Sequence, residues 1–257
     1  MEAPDKNTLY THLKNDIVDK IKEWFMVNGN KASAVIGISG GKDSTVAAAL
    51  LVEALGKDRV VGVMMPNGIQ PDIDDSERII KHLGINSYLV NIYDIYDAQI
   101  KAIRKNEIPI SDYTKINLAP RIRMATLYAI AQSLPNGGRV INTCNASEDF
   151  VGYSTKFGDS AGDMSPLGDC FVSEIIGIGD ILGLPKDLVH KAPSDGLCGK
   201  TDEDRFGFTY DDIERYIRNG TSGNENIDAR IKDMHTKSLH KIKPMYVCKK
   251  IITIPNC

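Results

Sequence analysis

The stretch from position 34 to position 51 reads AVIGISGGKDSTVAAALL and decides how the first part of the chain folds. An apolar run is interrupted by SGGKDS at residues 39–44 and then resumes, which predicts a buried strand, a tight turn and a helix. Glycine permits close approach of the backbone, and a helix that begins directly after the turn points free N–H groups back at it. Such a turn suits a phosphate or a pyrophosphate.

Further apolar runs place this unit in a longer alternation of strands and helices. We expect strands at residues 33–38, 59–65, 87–92 and 139–143. We expect helices over residues 7–28, from the glycine turn to about Leu55, up to Gly84, and over 118–134. Because the strands are continuously apolar, the pattern predicts an α/β fold, a doubly wound parallel sheet with helices on both faces, in one domain over residues 1–257.

Composition and charge exclude several classes of function. The formal net charge of −3 gives no general basic field for nucleic acid, and no apolar run approaches the length of about 18 residues that a membrane helix needs. The N-terminus lacks the apolar centre of a signal peptide, and the five cysteines are scattered, without a C-x-x-C pair. We therefore expect free thiols, no zinc site, no nucleic-acid or membrane partner, and a reducing cytoplasm.

Three types of phosphate-binding loop compete for the glycine turn. The spacing is wrong for a Walker loop, and the third glycine of a dinucleotide-binding loop is missing. The pattern Ser-Gly-Gly-x-Asp-Ser is matched at every fixed position, by Ser39, Gly40, Gly41, Asp43 and Ser44. The turn thus resembles the pyrophosphatase loop of ATP-dependent ligases with an adenine nucleotide α-hydrolase-like fold, in which Asp43 is a suitable oxygen ligand for Mg²⁺. The structural alternative, in which Asp43 only caps a helix, does not explain the other positions.

A second set of motifs narrows the resemblance. The segments NLAPRIRMATLYAIAQ, INTCNASEDFVGYSTKFGD and LHK, together with the loop, resemble the ammonia-dependent NAD synthetases over residues 34–241. The resemblance implies activation of deamido-NAD by ATP as an acyl-adenylate, with release of pyrophosphate. Ammonia then converts this intermediate to NAD and AMP. It also implies Mg²⁺, ATP as co-substrate and a homodimer.

The resemblance also implies roles for individual residues. Asp43 and Glu148 are the implied catalytic pair that holds Mg²⁺. The implied ATP-binding residues are Gly37, Ser39, Gly40, Gly41, Lys42, Asp43, Ser44, Thr143 and Ser194. The implied deamido-NAD-binding residues are Arg121, Lys156, Asp163, His240 and Lys241, with Arg123 close by.

Two positions depart from the family pattern. Met64 stands where an arginine is usual, and Val172 stands where a lysine is usual, so that two cations expected at the ATP phosphates are missing. Lys42 occupies a position that is often uncharged in the family, and we hypothesise that it compensates. Glycine- and polar-rich stretches near residues 152–168 and 194–207 are predicted to be mobile loops that cover the intermediate.

Two other functions remain open from the sequence. Another enzyme with the same loop, of the tRNA-modifying type, would need a basic surface or paired cysteines. A non-catalytic nucleotide-binding homologue would explain the loss of cations at Met64 and Val172, but it would not need both Asp43 and Glu148 as metal ligands.

Overall fold

A computed structural model describes residues 5–191 and 201–249 of the chain. Its four strands are β1 (Ser33–Gly37), β2 (Val60–Met64), β3 (Asn86–Leu89) and β4 (Gly138–Ile141). All pairings are parallel and the strand order is β3-β2-β1-β4. The chain therefore moves outward from β1 to β3 and then returns to place β4 on the other side of β1. This reversal opens a crevice beyond the carboxyl ends of β1 and β4, where open parallel sheets bind their ligands.

Helices connect the strands and extend the fold beyond them. The first five are α1 (Lys6–Gly29), α2 (Lys42–Leu55), α3 (Ile73–Leu83), α4 (Tyr93–Arg104) and α5 (Asp112–Ser133). After β4 come α6 (Ala146–Val151), α7 (Val172–Ile181), α8 (Lys186–Val189), α9 (Asp202–Phe206), α10 (Tyr210–Asn219) and α11 (Glu225–Ile242). A short 3₁₀ turn (Lys57–Arg59) precedes β2.

The sheet is covered on both faces, as the sequence predicts. One apolar cluster joins α1, α2 and α7 to one face of the sheet and includes Phe25, Leu50 and Ile178. A second cluster joins α4 and α5 to the opposite face and includes Val35 and Leu127. Helices on both faces of a parallel sheet confirm the doubly wound α/β fold. Within the described residues, no helix is long and apolar enough to cross a bilayer.

A third apolar cluster lies outside the sheet and joins α6, α7, α9, α10 and α11. Its buried members are Val151, Val172, Phe206, Phe208, Tyr210, Ile213 and Ile231. The aromatic rings of Phe206 and Tyr210 meet edge to face, with their centroids 5.8 Å apart. This third cluster fixes the C-terminal helices against the helix that follows β4.

Several predicted boundaries were wrong. All four residues of β3 are exposed because β3 is an edge strand, whereas the sequence predicts a covered strand at 87–92. Helix α5 begins at Asp112, six residues before the prediction, because Ser111 caps it by accepting the N–H of Thr114. Helix α4 was not predicted. The predicted helix over residues 7–28 is observed as α1, one residue longer at each end.

The two predicted loops differ in what the structure shows. Residues 202–206, placed in a loop by the sequence analysis, form α9, because Thr201 caps that helix and Phe206 is buried. Residues 152–168 hold hydrogen bonds to the end of β4, among them Asn142 N–H to Met164 O at 2.8 Å. That these segments move, and that the chain forms one domain, stay predictions.

Candidate active site

The glycine turn lies at the carboxyl end of β1 and opens the crevice. Gly40 has φ +79°, and a Cβ added there would come within 2.8 Å of the Asp75 Cβ and 3.1 Å of the Ser76 nitrogen. Only glycine fits this position without displacing α3. The hydroxyl of Ser44 closes the turn by accepting the Ser39 N–H at 3.2 Å and donating to the Gly41 carbonyl at 3.1 Å. These two hydrogen bonds fix the shape of the turn.

Asp43, in the first turn of α2, links the glycine turn to the segment that follows β4. Its Oδ1 accepts a hydrogen bond from Asn145 Nδ2 at 3.1 Å, and its Oδ2 accepts one from Lys42 Nζ at 2.9 Å. Asn145 is also the N-cap of α6, where its Oδ1 accepts the N–H of Glu148 at 2.9 Å. One amide side chain therefore orients both predicted metal ligands.

Glu148 lies on α6, which follows β4, and is close enough to Asp43 for the two charges to interact. Burial and the nearby negative charge of Asp43 raise the pKa of Glu148 to about 8, while Lys42 acts in the opposite direction. Its Oε1 lies 3.4 Å from the hydroxyl of Tyr210. Two carboxyl groups that repel each other in a buried place are a frequent feature of functional sites.

Asp202 and Tyr210, which no sequence motif indicates, complete this group of residues. The Tyr210 hydroxyl donates to Asp202 Oδ2 at 3.2 Å, and the Tyr153 hydroxyl donates to Asp202 Oδ1 at 2.9 Å. Asp202 is buried, as is Tyr210. Nothing in their spacing signals this arrangement, because the contact depends on how the third apolar cluster seats α9 and α10.

Lys42 is the buried cation of the site, with only 4% of its side chain exposed. Its Nζ lies 5.5 Å from the centre of the Tyr210 ring. Burial alone would lower the pKa of Lys42, but the attraction of Asp43, Glu148 and Asp202 outweighs burial and the pKa is raised. Lys42 therefore carries its charge inside a group of carboxylates.

The donors present fit Mg²⁺. Mg²⁺ is commonly held by one or two carboxylates together with phosphate oxygens, and Asp43 and Glu148 supply two carboxylates beside the glycine turn. In the part of the chain that the structure describes, no group of three or more His, Cys, Asp or Glu side chains is arranged to hold a metal by itself. The pair thus suits a metal that arrives with a phosphate ligand.

Four further positions concern the binding of ATP: the predicted contacts Thr143 and Ser194, and Met64 and Val172, where the family usually has cations. Thr143 follows β4 at the same end of the sheet, two residues before Asn145. Ser194 lies outside the described residues. The side chains of Met64 and Val172 are buried, the latter in the third apolar cluster, so neither position offers a polar group to a ligand.

Four of the five predicted deamido-NAD residues are brought together by hydrogen bonds. Arg121 Nε donates to the Lys156 carbonyl at 3.2 Å, and Lys156 Nζ donates to the His240 carbonyl at 2.6 Å. Lys241 Nζ donates to the carbonyls of Gly152 and Ser154, at 2.8 Å and 3.0 Å. This basic cluster joins α5, the segment after α6 and the end of α11.

Asp163 is not part of that hydrogen-bonded cluster. Its Oδ2 accepts the backbone N–H of Val140 in β4 at 2.8 Å, and its Oδ1 accepts the hydroxyl of Tyr128 at 3.2 Å. Arg123 also holds backbone, donating to the Met65 carbonyl at 3.0 Å. Asp163 therefore holds β4 and Arg123 holds the segment after β2, and a substrate contact for Asp163 stays a prediction.

Comparisons with known proteins show the family and the fold of this chain. A family model described as NAD synthase matches residues 13–250. The NH(3)-dependent NAD(+) synthetase of Finegoldia magna is 39% identical over 232 residues, covering 89% of this chain and 93% of the relative. The NMN synthetase structure from Francisella tularensis has a TM-score of 0.85 at 34% identity, over 94% of this chain and 99% of that one. An NH3-dependent NAD synthetase structure from Campylobacter jejuni has a TM-score of 0.75 at 27% identity, over 96% and 100%.

Proposed function

This chain belongs to the NAD synthase family, and from that premise we propose that it forms the amide of NAD from deamido-NAD and ammonia at the expense of ATP. The observation that carries the proposal is the meeting of Asp43 and Glu148 beside the glycine turn, at the crevice between β1 and β4. The products would be NAD, AMP and pyrophosphate, through an acyl-adenylate.

The glycine turn and the start of α2 would hold the phosphates that leave ATP. Backbone N–H groups at the head of α2 are oriented towards the turn, and the hydroxyls of Ser39 and Ser44 lie 3.1 Å apart beside them. Lys42 adds a positive charge at the same place. These groups would stabilise the charge that accumulates on the leaving pyrophosphate.

Asp43 and Glu148 would hold Mg²⁺, with Asn145 fixing the orientation of both. When bound, Mg²⁺ supplies charge neutralisation between the two anionic reactants. The chain's own part is to position the carboxylate of the acyl substrate against the α-phosphate, which needs no nucleophilic side chain. Contacts of Thr143 and Ser194 with ATP belong to the same proposal.

The acyl substrate would bind at the basic cluster. Arg121, Lys156 and Lys241 can offset its phosphate charges, and His240 lies beside them. All three cations donate hydrogen bonds to backbone carbonyls. Their side chains are therefore already ordered and lose less conformational entropy when a ligand binds. Segments near 152–168 and 194–207 would keep water from the hydrolysable intermediate.

A second candidate is the shorter substrate, in which nicotinate mononucleotide is amidated to NMN. The observation that favours it is the TM-score of 0.85 with an NMN synthetase, against 0.75 for an NH3-dependent NAD synthetase. The chemistry at Asp43 and Glu148 is the same for both substrates. The two differ only in whether an adenylate portion must be accommodated.

We also propose that two copies of the chain associate. Large apolar side chains are exposed on β3, α4, the start of α5 and the loop between these helices, and this apolar surface comprises Tyr88, Leu89, Tyr93, Ile95, Ile108, Tyr113 and Ile116. An exposed apolar surface of this kind is typical of an interface. A dimer by sedimentation, and a monomer for Ile95→Glu, are the expected results. A cytoplasmic location stays a prediction from the cysteine pattern.

The experiment is an assay of NAD and AMP together, with Mg²⁺, ATP, ammonium and deamido-NAD, repeated with nicotinate mononucleotide and with NMN as the measured product. Equal amounts of AMP and amide support the proposal, and the ratio of the two kcat/KM values assigns the substrate. Asp43→Asn should lower kcat by about 100-fold or more, because the metal contributes several kcal/mol to the transition state. Lys20→Gln, on the exposed face of α1, is the matched control. No AMP with either substrate would favour a binding-only protein or another enzyme of the loop class.

A further inference from the structure

A buried lysine inside a group of acids is unusual because lysine is rarely buried unless it is paired. Lys42 donates one of its three ammonium protons to Asp43 Oδ2, and the face of the Tyr210 ring lies over the ammonium. Glu148 and Asp202 also attract it. The ammonium therefore occupies the middle of the negative charge at this site.

Lys42 has more acidic neighbours than one ammonium can pair with. One ammonium faces three carboxyl groups, and two of them, on Asp43 and Glu148, are the pair that fits a divalent cation. Asp43 Oδ2 is bonded to Lys42, so a metal that takes this oxygen must displace the ammonium or share the oxygen with it. Lysine and metal are then competitors for one carboxylate.

A displaced ammonium has a ready second partner. Lys42 is the first residue of α2, directly after Gly40 and Gly41, so its side chain belongs to the turn that suits a pyrophosphate. A lysine is a compact cation on a flexible stem, and it binds phosphate as a point charge. Burial makes each of its pairings stronger than it would be in water.

We propose that Lys42 is an internal counter-ion that changes partners. In the nucleotide-free protein its ammonium holds Asp43 in the absence of metal. When Asp43 and Glu148 share a divalent cation, the ammonium turns to the phosphates that leave ATP. This proposal rests on the proposed function only for the identity of the phosphate ligand.

The two halves of the proposal predict opposite effects of one substitution. In Lys42→Gln and Lys42→Met, Mn²⁺ alone should bind the nucleotide-free protein about three- to tenfold more tightly, because a competing positive charge is gone. Pyrophosphate in the presence of Mn²⁺ should bind about tenfold more weakly, because a charge-assisted contact is lost. Titration calorimetry and the electron paramagnetic resonance of free Mn²⁺ measure both constants.

Lys20→Gln, which removes a lysine paired with Asp16 at 2.6 Å on the surface of α1, is the control and should change neither constant. Unchanged or weaker Mn²⁺ binding in the Lys42 variants, or unchanged pyrophosphate binding, overturns the proposal. If the variants do not fold, the ¹⁵N resonance of the Lys42 ammonium is followed in the wild-type protein. It should shift with Mn²⁺ and shift again with pyrophosphate, and a resonance that ignores either ligand also overturns the proposal.

These measurements contain no acyl substrate and no ammonia. A protein that shows both binding effects and forms no amide would disprove the proposed function and leave the exchange of partners intact. An active enzyme whose Lys42 variants bind Mn²⁺ and pyrophosphate as the wild type does would support the proposed function and disprove the exchange of partners.

Discussion

Gly152 is held in a conformation and a packing that a larger residue would strain. This residue ends α6 with φ +68°, and a Cβ built on it would lie 2.0 Å from the Ser238 Cβ and 2.4 Å from its hydroxyl oxygen. The positive φ costs a residue other than glycine about 1–2 kcal/mol. Carbon atoms prefer about 3.5–4 Å, so α11 must also move away by about 1.5 Å, an overpacking that costs about 1–3 kcal/mol.

The expected loss of stability for Gly152→Ala is therefore about 2–5 kcal/mol. Urea denaturation of the nucleotide-free protein measures it, and a chain of this length should melt about 2–4 °C lower for each kcal/mol. The matched control is Gly220→Ala, because Gly220 has φ +78° but nothing within 4 Å of an added Cβ. The control should lose only the backbone contribution of about 1–2 kcal/mol.

A second substitution separates the two contributions. Ser238→Gly in the Gly152→Ala background removes the atoms that clash, so part of the lost stability should return even though glycine weakens a helix by about 0.5–1 kcal/mol. Equal losses for Gly152→Ala and Gly220→Ala would refute the claimed contact between α6 and α11. Displacement of α11 should also raise KM for the acyl substrate, because Lys241 donates to the Gly152 carbonyl.

Three further predictions concern the carboxyl groups of Glu148, Asp163 and Glu214. The raised pKa of Glu148 means that the stability given by its neutral form is fully present below its ordinary pKa of 4.5 and is lost as the pH rises through about 8. In metal-free buffer Glu148→Gln should therefore be more stable than the wild type at alkaline pH. Urea denaturation midpoints measure this difference, which should become smaller as the pH is lowered. Asp163→Ala should cost about 1–3 kcal/mol in denaturant, because a backbone N–H of β4 loses its acceptor. Glu214→Ala should lower the free energy of unfolding by a similar amount, about 1–3 kcal/mol, because Glu214 accepts both the N–H and the hydroxyl of Ser173 at the start of α7. A loss within experimental error would show that water can replace these two hydrogen bonds.

The sequence predicted those parts of the molecule whose signals are local. The strand, turn and helix around residues 34–51 depend on neighbouring residues. The pairing of Asp43 with Glu148 was implied by the family resemblance and not by any local pattern. The resemblance also selected Arg121, Lys156 and Lys241, which the fold brings into one cluster.

The sequence could not predict what depends on distant contacts. Asp202 and Tyr210 reach the site only because Phe206 and its neighbours pack on α6 and α11. The apolar run at residues 87–92 reads as a covered strand, but whether a strand lies at the centre or the edge of a sheet depends on the order of all strands. The first turn of α5 was not predicted because nothing in the sequence distinguishes Ser111, which caps this helix, from a serine in a loop.

The position of Tyr210 over Lys42 also has a consequence for synthesis on the ribosome. The glycine turn, Asp43 and Glu148 leave the ribosome well before α9 and α10, and N-terminal segments are the first that can fold. Until Tyr210 arrives, the ammonium of Lys42 is open to water and the carboxylates are screened by it. The group of residues around Lys42 is therefore complete only after Tyr210 has left the ribosome.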